Sequence, residues 1–127
     1  MTEISVRTTK RVEVVNITKK IEEVVRGKEA KLVHVFVPHT TCGITINEDA
    51  DPNVMRDVLE ALERIAPRDF PYKHTEGNAD SHIKSVLCGS SVTVPVAAGR
   101  LVLGTWQGIF LMEFDGPRER KVLVTLI

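Results

Sequence analysis

With 127 residues, 43% of them hydrophobic, the chain holds enough apolar material for one core and is expected to form a single domain over residues 1–127. Its 17 basic and 17 acidic residues cancel, so it lacks the positive field expected of a protein that binds nucleic acid or anionic membrane. No apolar run of about 18 residues and no signal-peptide pattern are present, which makes the cytoplasm the expected compartment, with Cys42 and Cys88 as free thiols there.

In chain order, residues 4–15 alternate apolar and polar in two halves, Ile4-Val6 and Val12-Val14, and predict a β-hairpin. Thr18 can cap a short amphipathic helix carrying Ile21, Val24 and Val25, which Gly27 stops. Lys31 to Pro38 reads as an apolar strand, with Gly43 to Asn47 as its hairpin partner. Asp51-Pro52 is a strong helix start, because the carboxylate caps free amides and proline loses nothing at the first position. Val54, Val58, Leu59, Leu62 and Ile65 follow as one stripe up to Pro67.

The segment from Pro67 to Gly77 reads as a loop that delivers His74. Asn78 or Asp80 can then cap a third helix, with Ile83, Val86 and Leu87 facing inward and Gly89 closing it. Beyond Ser91 the signal is almost all strand: SVTVPV, RLVLGTW, GIFLMEF and KVLVTLI. Pro95 marks the first of these as an edge or a bulge. The expected architecture is α+β, a mostly antiparallel sheet or sandwich with two to three inserted helices.

Three constellations carry chemistry. His74, Asp80 and His82 lie in one short run, and histidines beside carboxylates suit both metal coordination and proton transfer. A separation of eight positions between the histidines is not the spacing of a helical zinc motif, and exposed polar side chains are the plain alternative. His39-Thr40-Thr41-Cys42 precedes Asn47-Glu48-Asp49, where an acid could serve as base, or merely complement the following helix. Nothing near Cys42 lowers a thiol pKa, so a small buried thiol is its expected role. His34 alternates within an apolar strand and reads as structural. Trp106-Gln107 between glycines offers a stacking surface and an amide, and Arg118 and Arg120 could hold a phosphate, or only line a solvated turn.

Taken together, HTTCGITINEDADP, HTEGNADSHIK and the run from GSSVTVPV to DGPRER resemble the YjbQ family, often labelled secondary thiamine-phosphate synthase. That resemblance spans nearly the whole chain. It implies an α+β fold assembled as a homotrimer, with the site near subunit contacts. It also implies convergence of His39, His74 and His82 on a divalent metal, zinc or magnesium, with an open position for water or substrate. Members of the family often carry a small residue in place of Cys42, which argues against a thiol nucleophile.

The family label implies joining a pyrimidine diphosphate to a thiazole phosphate with loss of diphosphate. No Gly-rich phosphate loop is present, so a small phosphorylated substrate would be held by Lys84, Arg118, Arg120 and amides near His82, with Asn47, Trp106 and Gln107 beside it. A weak activity fits that sparse set. A metal-dependent hydrolase or phosphoester-binding enzyme using Glu48 or Asp80 as base is one alternative, and a non-catalytic trimeric ligand-binding protein another.

Overall fold

The computed structural model describes residues 1–127. The protein is α+β, as expected, with three helices and two curled antiparallel sheets. Its elements run β1 (Thr2–Arg7), β2 (Glu13–Asn16), α1 (Thr18–Val25), β3 (Leu32–Phe36), β4 (Cys42–Glu48), α2 (Pro52–Ile65), α3 (Ala79–Cys88), β5 (Ser91–Ala97), β6 (Arg100–Leu101), β7 (Gln107–Glu113) and β8 (Glu119–Leu126). A five-stranded sheet has the order β1-β8-β3-β5-β6 and a three-stranded sheet the order β2-β7-β4.

The small sheet is the middle layer of the molecule. One face sends Ile44, Ile109 and Leu111 against Val6, Val33, Val35, Val122 and Val124 of the large sheet, joined by Ile21 and Val25 of α1. Its other face presents Phe110 and Met112, which Met55, Val58, Leu59 and Leu62 of α2 cover. Alternation along each strand therefore serves two cores at once. No helix is long and apolar enough to cross a membrane.

Both expected hairpins are absent. β1 pairs with β8 and β2 with β7, because the link between them crosses from one sheet to the other. That link is tied to the β7–β8 connection: Thr8 N donates to Arg118 O and Gly116 N to Arg11 O, each at 2.9 Å. Likewise β3 pairs with β5 and β8 while β4 pairs with β7. Their connection is held on both sides, with Val37 N donating to Ser90 O and Phe114 N to Thr41 O.

Asp51 caps α2 as expected, accepting from Asn53 N at 2.9 Å with Pro52 in the first turn. At α1 the capping oxygen is that of Asn16, which accepts from Thr18 N at 3.0 Å, while the Thr18 hydroxyl accepts from Ile109 N and ties the helix to β7. The strand expected over RLVLGTW shrinks to Arg100–Leu101, since the Gln107 side chain accepts from Gly104 N at 2.8 Å and closes a turn there. Pro95 lies in β5 opposite Leu32, with only the two-residue β6 beyond it, near the end of the sheet.

α3 reverses the expectation. Asp80, Ser81 and Lys84 are buried, whereas Ile83, Val86 and Leu87 face out. The polar side faces inward because its charged groups and Ser81 find partners there, leaving only the buried Ser85 hydroxyl without one. Asp80 pairs with Lys84 at 3.0 Å and Arg11 at 3.1 Å, Lys84 also reaches Glu63, and the Ser81 hydroxyl donates to Phe114 O at 2.6 Å.

Candidate functional site

Gly77, at φ 82°, turns the chain into α3 in a conformation that disfavours a side chain. The turn folds His74 back onto His82 in the first turn of the helix. Their ring centroids are 5.3 Å apart in an edge-on arrangement. Asn78 organises the pair. Its amide nitrogen donates to Asp115 Oδ2 at 2.9 Å, which aims its oxygen at His74 Nε2, 3.0 Å away. An amide oxygen only accepts, so His74 carries its proton on Nε2 and keeps a lone pair on Nδ1. Glu76 Oε2 lies 3.6 Å from the same Nε2. Asn78 thus occupies the N-cap position of α3 without capping it. The pair opens on a cleft of about 380 Å³ shared with Tyr72, Lys73 and Ile83.

His39 lies elsewhere, in a separate cleft of about 440 Å³ beside Thr40, Ser90 and Arg118. Its Nε2 accepts from the Lys121 backbone N–H at 2.9 Å, which places the ring proton on Nδ1. Burial, and after it the Arg120 charge, push its pKa below the ordinary value and keep it neutral. Neither nitrogen of such a ring offers a metal a free lone pair. Within one chain, therefore, His39, His74 and His82 do not converge, and no group of three or more His, Cys, Asp or Glu side chains is placed to hold a metal ion. The donor set of one chain does not fit a zinc or magnesium centre.

Several residues expected at a substrate prove to be internal supports. Asp80 is fully buried; burial opposes its charge, but hydrogen bonds from Arg11 and Lys84 outweigh burial and hold its pKa below the usual carboxylate range. It cannot reach a substrate as a base. Lys84 is committed to Asp80 and Glu63. Arg120 is sealed between the sheets, where it binds Glu113 and donates to Thr41 Oγ1 at 2.8 Å. Glu113 completes that network by accepting from the Thr8 hydroxyl at 2.7 Å and from Asp115 N at 3.1 Å.

Arg118 remains at the surface, though it is turned onto the carbonyl and carboxylate of Asp115. Asn47 accepts from Glu48 N, and Glu48 from Asp51 N at 3.2 Å. Trp106 is 64% exposed beside Gln107, apart from the histidine cleft. Cys42 is a buried free thiol whose pKa burial raises to about 12, which removes thiolate chemistry. His34 stacks on Phe36 at 6.3 Å, a structural role. Arg11 and Glu63 were not singled out from the sequence. Arg120 did carry a signal, since it sits two and four residues before the core residues Val122 and Val124, on their face of β8.

Comparison with known proteins places this geometry. Residues 2–127 match the family model described as UPF0047 protein YjbQ-like. A UPF0047 protein of Methanocaldococcus jannaschii is 47% identical over 124 residues, covering 96% of this chain and 90% of its own. The UPF0047 protein YugU of Bacillus subtilis is 42% identical over 127 residues, with 98% and 96% covered. Among solved structures, an uncharacterised YjbQ/UPF0047-family protein of Clostridium acetobutylicum superposes with a TM-score of 0.96 at 47% identity, and a conserved hypothetical protein of Thermus thermophilus with 0.95 at 47%. Both alignments cover 100% of each chain.

Proposed function

The chain belongs to the YjbQ family, and from that membership we propose a cytoplasmic, trimeric enzyme that acts on a small phosphorylated molecule with weak thiamine-phosphate synthase-like activity. The observation that carries the reading is the His74–His82 pair, oriented by Asn78 at the mouth of a cleft.

The reaction forms a bond from the thiazole nitrogen to the pyrimidine methylene carbon while the carbon–oxygen bond to diphosphate breaks. The difficulty is the negative charge gathered on the departing diphosphate. The His82 ring, in the first turn of α3 where the helix dipole adds positive potential, can donate a ring N–H to that charge. His74, with a lone pair on Nδ1, suits the partner role of moving a proton.

Trimer formation is supported by the apolar side of α3, where Val86 is 81% exposed beside Leu87 and Ile83. A divalent ion enters this reading only with further ligands from a second copy, since one chain supplies two adjacent histidines. The hydrolase alternative loses Asp80 as its base and keeps only Glu48.

Complementation of a strain that lacks its main thiamine-phosphate synthase tests the proposal. Wild-type chain should restore slow growth without thiamine, and His74→Ala and His82→Ala should not. Absence of rescue by wild type, or rescue undiminished in both variants, would overturn it.

A further inference from the structure

Away from all the histidines, a groove of about 420 Å³ runs between β2, the β4–α2 connection and α2. Its floor is apolar, formed by Val14, Met55, Leu59 and Phe110. Charge of both signs lines the rim, with Lys10 and Arg56 as cations and Glu13, Glu48 and Asp49 as acids.

The two signs do not neutralise each other. Lys10 and Arg56 take no part in the ion pairs of the chain, and Arg56 reaches only the Asn53 amide oxygen, at 3.3 Å. The acids are held by uncharged donors instead. Glu13 accepts from Thr9 N and the Thr9 hydroxyl at 2.9 and 2.7 Å, Glu48 from Asp51 N, and Asp49 from the Asn16 amide. Asp49 also lies flat against Gly108, where a β-carbon would come within 2.9 Å of its carboxyl group. Hydrogen bonds of this kind fix a carboxylate in place and leave its charge intact.

A groove of ring-binding size with an apolar floor, fixed anions and unpaired cations is complementary to a molecule that carries both charges. We propose that this groove binds a small zwitterion: an apolar ring lies on Met55 and Phe110, a cationic centre faces Glu13, Glu48 and Asp49, and a phosphate is held by Lys10 and Arg56. Methionine in the floor adapts to ring shape, and the arginine fork matches phosphate oxygens. The groove argument is independent of the histidine site; only the choice of probe rests on the proposed function.

Calorimetric titration of the full chain should use thiamine monophosphate, which has both charges, thiamine, which lacks the phosphate, and phenyl phosphate, which lacks the cation. The expected result is at least tenfold tighter binding of thiamine monophosphate than of either of the others. Lys10→Ala with Arg56→Ala, both exposed positions, should weaken thiamine monophosphate at least tenfold and leave thiamine unchanged. Glu13→Gln with Asp49→Asn should weaken thiamine. No binding by wild type, equal affinity for the three probes, or an unaltered affinity in the Lys10/Arg56 variant would overturn the groove. Groove binding by a chain that fails to rescue the synthase-deficient strain would instead sink the synthase reading alone.

Discussion

α2 and α3 follow one another on the same side of the small sheet and use opposite logic. α2 turns its apolar side inward, with Met55 buried and Val58, Leu59 and Leu62 against Phe110 and Met112. α3 turns its polar side inward and leaves Val86 and Leu87 in the open. The 3.6-residue period tells which residues share a face; where that face points depends on what waits there. Beneath α2 waits a hydrocarbon surface. Beneath α3 wait Arg11, the Glu63 carboxylate and a backbone carbonyl, which only a polar side can satisfy.

The largest test of this contrast is Asp80→Ala. It leaves Lys84 and Arg11 facing each other without their shared anion, and should lower unfolding free energy by about 3–5 kcal/mol in urea titrations. A loss below about 1 kcal/mol would mean that the ion network does not orient α3. Met55→Ala tests the apolar counterpart. Because the adjoining groove gives the site room to relax, a loss near the lower end, about 2 kcal/mol, is expected by the same measurement. Asp51→Ala removes the α2 cap and should cost about 1 kcal/mol.

Leu87→Glu places charge on the open side of α3. Its effect on the stability of the chain should stay within about 0.5 kcal/mol, while light scattering should show a smaller particle than wild type if a second copy covers that side. An unchanged particle size would detach assembly from α3.

The smallest effect expected is a pH dependence. The folded pKa of His39 lies below its ordinary value of 6.5, so the unfolded chain takes up this proton first as pH falls. The stability His39 contributes is therefore present above about pH 6.5 and lost as pH drops below it. Between pH 7.5 and 5, His39→Gln should lose less stability than wild type. Asp80 and Glu113 also have lowered values, but they act in a more acidic window.

α2 was legible because its start is written locally, in Asp51-Pro52. Strand positions were legible for the same reason, since alternation is a property of neighbouring residues. Pairing was not. Whether Val6 opposes Val14 or Arg120 is decided by residues a hundred positions away. The nearness of His74 and His82 could be read from their spacing around Gly77, whereas the isolation of His39 could not, because it depends on one backbone N–H from β8. Asp80 and Lys84, four apart, did carry the mark of a helical ion pair; the expectation of a substrate beside them hid it. Arg120 was misread as a ligand because a charge beside valines is as easily placed at a surface as in a sealed network.

The position of β8 has a consequence for how the molecule is made. It lies between β1 and β3 in the large sheet, and of all the strands it is the last to leave the ribosome. Until then β1 has no neighbour, and the inner valines of that sheet face an unfinished wall. Most strand contacts here join distant parts of the chain, a topology that slows folding. Assembly of the large sheet must therefore wait until β8 has been made, so a nascent chain stalled before Glu119 should be far more open to proteolysis than one that includes Leu126.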